Sequence, residues 1–180
     1  MPSIKKAYNN KNKTAPRGIS FLAIASFSED VMAFLSELYS TTRWEEVMQA
    51  PWSDLQRIDF LKQQFNAQHT HYQSHYPKAD YLLILQENKK IGRIYLDRDE
   101  TSICLIDIAL LPELRNKGLG TQLLLNLLEE AQENNKKVVI HVENFNPAYQ
   151  WYLKNGFKLV EDKGVHQYME WYPKSKTLTK

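Results

Sequence analysis

The chain has 180 residues, of which 43% are hydrophobic and 24% are charged, and its formal net charge is +2. This length and composition predict one globular domain with one core, and so small a charge gives no reason to expect a nucleic-acid-binding protein. The single cysteine, Cys104, cannot form an internal disulfide, so a reducing cytoplasm is the expected location. No stretch reaches the ~20 apolar residues of a membrane span.

Both ends of the chain are predicted to lie outside the domain. Residues 1–18 are rich in lysine and asparagine and lack periodic apolar residues, so we expect a flexible basic leader there. Residues 174–180 are expected to form a flexible tail, which leaves 19–173 as the single domain. A basic leader before the apolar run Ile19–Phe27 also occurs in signal peptides, but the run is short and predicts a first strand equally well.

The predicted elements follow the order β-αα-β-β-β-α-β-α-β-β. Runs rich in β-branched and aromatic residues predict the strands. In chain order these runs are 19–25, 81–85, 91–96, 102–111, 138–142, 157–161 and 165–172. The pattern Ser26-Phe27-Ser28-Glu29 predicts a capped helix reaching Leu38.

Three further helices complete this prediction. Ser53-Asp54-Leu55-Gln56 repeats the capping pattern and predicts a helix reaching about Tyr72. Its expected inward residues are Leu55, Ile58, Leu61 and Phe65. The third helix has a stripe of apolar residues, namely Leu123, Leu124, Leu127, Leu128 and Ala131. A short fourth helix is predicted over Pro147–Lys154.

Residues 105–124 read as a strand, a glycine-containing loop and the start of the third helix. Gly118 and Gly120 let the backbone approach a ligand closely, and Arg115 and Lys117 add positive charge. Since the N–H groups at a helix start are unpaired, this arrangement suits an anion such as phosphate. The loop lacks the Gly-Lys-Ser/Thr of a Walker loop, and Leu123 stands where a dinucleotide fingerprint has its third glycine.

Two motifs instead resemble the GNAT superfamily of N-acetyltransferases. Arg115, Gly118 and Gly120 match in register the acetyl-CoA loop of that family, which is Arg or Gln, two residues, Gly, one residue, Gly or Ala. About thirty residues later, the segment Asn146–Phe157 is similar to the second signature, in which Asn-Pro-Ala opens a helix and a tyrosine precedes Gly-Phe. The resemblance extends from about Tyr81 to Tyr172.

The resemblance implies an α/β, GNAT-like acyl-CoA N-acyltransferase fold. Its sheet is mixed, mostly antiparallel and twisted, with about six to seven strands flanked by about four helices. The strands 102–111 and 138–142 would splay apart, and the pantetheine arm of acetyl-CoA would lie between them. The backbone of Ala109, Leu110 and Leu111 would then pair with the pantetheine.

The same resemblance implies the residues that hold the cosubstrate. An N–H near Leu110 would polarise the thioester carbonyl. Asn146 would contact the cofactor or hold the loop after the second splayed strand. The loop positions expected to contact acetyl-CoA are Arg115, Asn116, Lys117, Gly118, Leu119, Gly120 and Thr121. No metal is expected.

The implied activity is transfer of the acetyl group from acetyl-CoA to a primary amine by direct attack. Tyr152 matches the general acid that protonates the leaving thiolate, and its alternative role is that of an aromatic residue packed on the sheet. Asp107 is the first candidate for the base, acting directly or through water, and its alternative role is that of an ion-pair partner. His141 and Glu143 are weaker candidates for the base.

Several alternatives stay open at this level. The scaffold also suits a non-catalytic acyl-CoA-binding or assembly protein, or an enzyme for a longer acyl group. The three histidines His69, His71 and His75 could line the acceptor pocket or bind a metal, and the metal is disfavoured because no accompanying motif is present. The acceptor is expected to be a small-molecule or peptide amine, without a membrane or nucleic-acid partner. A homodimer is left open.

Overall fold

The structure is a computed structural model and describes residues 18–174. The predicted leader and tail therefore lie outside the described residues, apart from Gly18 and Lys174. The elements found are β1 (Ile19–Ala23), α1 (Glu29–Val47), α2 (Asp54–His75), β2 (Asp80–Gln86), β3 (Lys89–Arg98), β4 (Ser102–Leu110), α3 (Leu119–Glu133), β5 (Lys137–Glu143), α4 (Ala148–Lys154), β6 (Lys158–Asp162) and β7 (His166–Trp171). Their order is the predicted one, with one added 3-10 turn at Pro112–Leu114.

The strands form a mixed seven-stranded sheet in the order β1-β2-β3-β4-β5-β7-β6, which confirms the predicted fold class. β1 pairs antiparallel with β2, and β7 pairs antiparallel with both β5 and β6. The one parallel ladder among these joins β4 to β5, and it comprises only Ser102–Cys104 with Lys137–Val139. Both strands continue beyond this ladder, which fits the predicted splay.

The chain divides into two compact units. The described part of the first unit is 18–95 with 107–120, and the described part of the second is 96–106 with 121–174. In the first unit the fully buried side chains include Leu35, Leu38, Leu61, Ile84 and Ile94. In the second unit they include Ile103, Leu123, Leu124, Leu127 and Ile140.

Helix α1 begins later and ends later than the sequence predicts. Its N-cap is Ser28, whose hydroxyl accepts a hydrogen bond from the Val31 N–H, so the predicted start at Ser26 is wrong. The helix passes Leu38 and ends at Val47, and within it the hydroxyls of Ser40, Thr41 and Thr42 donate back to carbonyls of the preceding turn at 2.7–2.9 Å. These residues usually weaken a helix by competing for the backbone, but here their hydroxyls bond within it.

Helix α2 begins with the predicted capping box. The Ser53 hydroxyl accepts from the Gln56 N–H at 3.3 Å, and the Gln56 side chain accepts from the Ser53 N–H at 2.8 Å. Leu61 and Phe65 are buried as predicted, but Leu55 is 75% exposed and Ile58 is 39% exposed. The inward placement of these two was wrong, because helical periodicity defines a face but not how far along the helix that face is covered.

The predictions for the other two helices hold, with α4 beginning one residue later than expected. All five apolar residues of the α3 stripe are buried. The hairpin of β2 and β3 is closed by Glu87 and Asn88, both with positive φ (49° and 64°), the conformation of a tight two-residue turn. No helix within residues 18–174 is long and apolar enough to cross a membrane.

Candidate functional site

The C-terminal end of β4 approaches β3 very closely at Gly92. A Cβ built on Gly92 would lie 2.4 Å from the Ala109 carbonyl oxygen and 2.9 Å from a methyl carbon of Leu110, so only glycine fits there. The Ala109 carbonyl therefore lies against β3. Since the C=O and N–H of a trans peptide point in opposite directions, the Leu110 N–H points away from β3.

The peptide between Leu110 and Leu111 is also oriented by a contact with β3. The Leu111 N–H donates to the Ile91 carbonyl at 2.9 Å, so the Leu110 carbonyl, which belongs to the same peptide, points away from β3. Both backbone polar groups of Leu110 thus face the side of β4 opposite β3. The family resemblance pointed to Ala109, Leu110 and Leu111 but gave no role to Gly92, whose position in an apolar strand was the available signal.

The segment Arg115–Gly120, called the glycine loop below, has a backbone suited to turning N–H groups towards a ligand. Asn116 and Gly118 adopt positive φ angles of 58° and 83°. A Cβ on Gly118 would meet nothing within 4 Å, so its backbone conformation, and not crowding, favours glycine. Helix α3 begins at Leu119, directly after this turn, and has no acidic residue in its first turn. The N–H groups at a helix start lack partners within the helix, an arrangement that suits an anion.

Arg115 uses its guanidinium within the first unit. Its Nε donates to the Leu110 carbonyl at 2.8 Å, its Nη1 to the Thr41 carbonyl at 3.0 Å, and its Nη2 to the Thr41 hydroxyl at 2.5 Å. Burial lowers the pKa of Arg115, and the Glu113 carboxylate opposes this effect. Lys117, the other cation of the glycine loop, is exposed.

Asp107 is held in a buried ion pair. Its Oδ2 accepts from Arg93 Nη2 at 2.6 Å, and the same Nη2 donates to the Gln68 side chain at 3.0 Å. The side chains of Arg93 and Asp107 are 3% and 14% exposed. Arg93 Nε is buried and has no hydrogen-bond partner within residues 18–174. Asp107 therefore takes the ion-pair position that was one of its two predicted roles, while its Oδ1 makes no hydrogen bond to a described residue.

Aromatic residues surround this ion pair. The Tyr95 ring lies under the Arg93 guanidinium at 5.3 Å and contacts the rings of Tyr72 and Tyr81 edge-on. Burial raises the pKa of Tyr72 and Tyr95, and the Asp107 carboxylate raises both further. Burial works to lower the pKa of Arg93, but the Asp107 carboxylate with its hydrogen bond, together with Tyr95 and Tyr72, outweighs burial and raises the pKa. The tyrosines therefore stay neutral and the arginine stays charged at neutral pH.

The three histidines of α2 do not converge on one point. His69 packs edge-on against Phe27 with ring centroids 4.5 Å apart, and His71 stacks on His75 at 3.9 Å. Burial lowers the pKa of His69, and Arg93 lowers it further. Among residues 18–174, no three His, Cys, Asp or Glu side chains are grouped so that they could hold a metal ion.

In the second unit, α4 holds Tyr152 in a packed setting. Tyr152 is 7% exposed and contacts the rings of Trp151 and Phe157 at 4.8 and 5.3 Å. The Trp151 indole donates to the Thr121 hydroxyl at 3.0 Å. This hydrogen bond joins the helix that carries the predicted acid to the first turn of α3, where the predicted phosphate contacts end. Phe157 is 2% exposed, as expected for a core residue.

Asn146 stabilises the loop between β5 and α4. Its side-chain oxygen accepts from the Ala148 N–H at 2.9 Å, and its own N–H donates to the Glu143 carbonyl at 2.9 Å. His141, a weaker base candidate, is exposed and lies 4.9 Å from the Tyr168 ring. Burial lowers the pKa of His141, and the charges of Lys163 and His166 add to this effect.

Known proteins resemble this chain in one family model and in their fold. Residues 77–159 match the family described as "Acetyltransferase (GNAT) domain". The fold is similar to that of the PaiA N-acetyltransferase from Thermoplasma acidophilum in complex with coenzyme A (21% identity, 86% of this chain and 98% of that chain, TM-score 0.60). It is also similar to a GNAT family acetyltransferase from Elizabethkingia anophelis with acetyl-CoA bound (16%, 87% and 99%, TM-score 0.54) and to an acetyltransferase from Thermus thermophilus (12%, 84% and 95%, TM-score 0.59).

At these identities the solved structures show the fold alone, and no curated protein matches the chain significantly. The fold is that of the N-acyltransferases. The matched segment runs from just before β2 to the start of β6 and contains both motifs found in the sequence. This match to a GNAT acetyltransferase domain covers 83 of the 180 residues and agrees with the resemblance seen in the sequence.

Proposed function

We propose that this protein transfers an acetyl group from acetyl-CoA to a primary amine by direct attack of the amine on the thioester. The observation that carries the proposal is the end of β4, where the Leu110 N–H is turned away from β3 by the close contact between Ala109 and Gly92. A glycine-containing turn and a helix start, an arrangement suited to an anion, follow within ten residues. The coenzyme A and acetyl-CoA named for two of the similar structures support this cosubstrate.

The end of β4 and the glycine loop are the segments proposed to hold a CoA ligand. Of the three residues predicted to pair with the pantetheine arm, Leu110 has its N–H on the side of β4 opposite β3, while the Ala109 carbonyl and the Leu111 N–H are turned to β3 and would hold the strand end in place. The Leu110 N–H would polarise the thioester carbonyl, where negative charge develops. The pyrophosphate would be held by the positions that turn into α3, which are Asn116, Lys117, Gly118, Leu119, Gly120 and Thr121. Arg115 is left out of this set because three of its N–H donors are already engaged.

Two proton transfers accompany the reaction. A C–N bond forms and the C–S bond breaks, one proton leaves the amine, and another reaches the departing thiolate. We assign the second transfer to Tyr152, whose ring is fixed by Trp151 and Phe157. We assign the first to Asp107 acting through water, since its Oδ1 is not used in the ion pair with Arg93. Asn146 holds the loop that precedes the helix of Tyr152.

The acceptor in this proposal is a small molecule or a peptide with a primary amine. A lysine side chain is uncharged in only ~1 molecule in 2,500 at pH 7, whereas an α-amine is neutral in ~1 in 7. A general base therefore matters most when the acceptor is a lysine side chain. A cytoplasmic location fits the single cysteine.

Calorimetry with coenzyme A tests the cosubstrate assignment. Gly118→Asp puts a side chain at φ +83° and a negative charge where the pyrophosphate is proposed to bind, so we expect affinity to fall at least about tenfold. Gly164→Asp is the matched control, because Gly164 has φ +81° and equally open space but lies in the turn between β6 and β7. Equal affinity in wild type and Gly118→Asp, or no binding by wild type, would refute the assignment.

Tyr152→Phe tests the acid. Release of CoA from acetyl-CoA in the presence of a panel of primary amines should slow by about 10²-fold or more, while the affinity for coenzyme A stays within about twofold. A collapse of that affinity would instead make Tyr152 a structural residue. Binding of coenzyme A without amine-dependent release by wild type would favour the non-catalytic acyl-CoA-binding alternative.

A further inference from the structure

Arg115 joins two distant parts of the first unit. Its guanidinium contacts Leu110, the last residue of β4, and Thr41, which lies in α1 and is 74 residues away in sequence. The Thr41 hydroxyl donates to the Leu38 carbonyl at 2.7 Å, so its lone pairs face the arginine and can accept from Nη2. In each of these three bonds, one N–H of the planar guanidinium donates to one oxygen of Leu110 or Thr41.

This arrangement is poorly suited to a phosphate ligand. Three of the five N–H donors of the guanidinium are used, and a planar guanidinium cannot turn without breaking all three bonds together. Lys117 has none of these constraints, since it is exposed and lies two residues further along the same loop. A phosphate can therefore be neutralised by Lys117 and the helix start without Arg115.

The contact with Leu110 acts on the backbone that the proposed reaction uses. The peptide between Leu110 and Leu111 is held at both ends, because Arg115 donates to its oxygen and its N–H donates to Ile91. A charge-assisted hydrogen bond at one end of a peptide strengthens the bond at its other end. With this peptide fixed and the preceding one set against Gly92, the direction of the Leu110 N–H is fixed as well.

We propose that Arg115 is a positioning residue that ties the end of β4 to helix α1 and thereby orients the Leu110 backbone towards the thioester, instead of binding the pyrophosphate. The proposal rests on the proposed function for the identity of the thioester. The tie itself is independent of that identity. A change at Thr41, which no phosphate would contact, should therefore have the same effect as a change at Arg115.

A double-mutant cycle in urea denaturation tests the tie without any ligand. Thr41→Val removes the hydroxyl that accepts from Arg115, and Arg115→Gln removes the guanidinium. We expect the unfolding equilibrium constants of the two variants to combine non-additively, by about fivefold. Thr42→Val is the matched control, because Thr42 makes the same bond back into the helix, to the Tyr39 carbonyl at 2.7 Å, and it should combine additively with Arg115→Gln. Additive behaviour of the Thr41 pair would overturn the tie.

Two ligand measurements then separate positioning from phosphate binding. In calorimetry with coenzyme A at two salt concentrations, Lys117→Gln should weaken binding and flatten its salt dependence, whereas Arg115→Gln and Thr41→Val should leave affinity within about twofold. In isotope-edited infrared spectra of bound acetyl-CoA, the thioester carbonyl band should move back towards its free position in both Arg115→Gln and Thr41→Val. Thr42→Val should leave the band unchanged.

The outcomes are distinct. Loss of coenzyme A affinity in Arg115→Gln as large as in Lys117→Gln, with a silent Thr41→Val, would overturn the proposal and make Arg115 a phosphate ligand. An unchanged carbonyl band in both tie variants would overturn the orienting role. If wild type bound neither ligand, the proposed function would fail, and the denaturation cycle alone would support or overturn the tie.

Discussion

Two carboxylates on strands of this protein, Asp107 and Glu170, are both ion-paired, yet they differ in how completely they are used. Glu170 accepts hydrogen bonds from Lys137, Tyr168 and Tyr172, so that both of its oxygens are occupied. Asp107 uses Oδ2 alone, for Arg93. Glu170 thus provides acceptors for three donors. Arg93 Nε, in contrast, is buried without a hydrogen-bond partner within residues 18–174.

This difference indicates that the cluster around Glu170 is structural, whereas the cluster around Asp107 is available for chemistry. A buried charge is stable when all of its hydrogen-bonding capacity is met, and such a network makes the local structure rigid. Burial alone would raise the pKa of Glu170, but the three donors outweigh burial and hold it at about 2. Asp107 keeps an unused oxygen beside a charged, incompletely satisfied arginine. Spare capacity of this kind is what a proton transfer through water requires.

Asp107→Asn should have the largest effect. Arg93 is 3% exposed, so removal of its anionic partner leaves a buried charge uncompensated, and we expect a loss of about 3 kcal/mol in the free energy of unfolding, measured in urea. Because the substitution also removes the proposed base, amine-dependent CoA release should fall by about 10²-fold.

The matched variant is Glu170→Gln. Lys137 is 33% exposed and can turn to water, so the loss of stability should be smaller than for Asp107→Asn, and CoA release should stay within about twofold. A fall in CoA release as large as that of Asp107→Asn would remove the distinction between the two clusters. If Asp107→Asn lost stability but kept its rate, Asp107 would be an ion-pair partner and nothing more.

The acid stability of the protein sharpens the comparison further. Since the pKa of Glu170 is about 2 in the folded state and 4.5 ordinarily, its contribution to stability is fully present above about pH 4.5 and is lost as pH falls towards 2. The urea midpoint should fall over this range in wild type and fall less in Glu170→Gln. Asp99, whose pKa is also held at about 2, by hydrogen bonds from Ser102 and Thr101, supplies a background loss in both proteins. Identical midpoint curves would contradict the assigned stabilisation of Glu170.

The features that the sequence predicted depend on neighbouring residues. The capping box at Ser53, the apolar stripe of α3 and the order of the elements all follow from local spacing, and the structure has each of them. The end of α1 was wrong because Ser40, Thr41 and Thr42 have low helix propensity, and the hydroxyl bonds that accommodate them were not part of the pattern used.

In the candidate site, the contacts between residues distant in sequence could not be predicted from local spacing. The glycine spacing indicated the glycine loop, but no local pattern joins Thr41 to Arg115 across 74 residues. Arg93 alternates with Tyr95 along β3, and alternation alone cannot say which face of a strand is covered. Its burial and its pairing with Asp107 arise from the meeting of β3, β4 and α2, which only the folded chain contains.

The smallest expected effect belongs to Tyr168→Phe. The Tyr168 hydroxyl donates to Glu170 Oε1 at 2.6 Å, and burial together with this hydrogen bond raises the pKa of Tyr168 to about 12. Removal of one donor of three should cost about 1 kcal/mol at pH 7, because Lys137 and Tyr172 still hold the carboxylate. The same loss should shrink at pH 3, where Glu170 begins to be protonated. A cost that is equal at both pH values, measured by urea denaturation, would mean that Tyr168 stabilises the protein through its packing against His141 and not through Glu170.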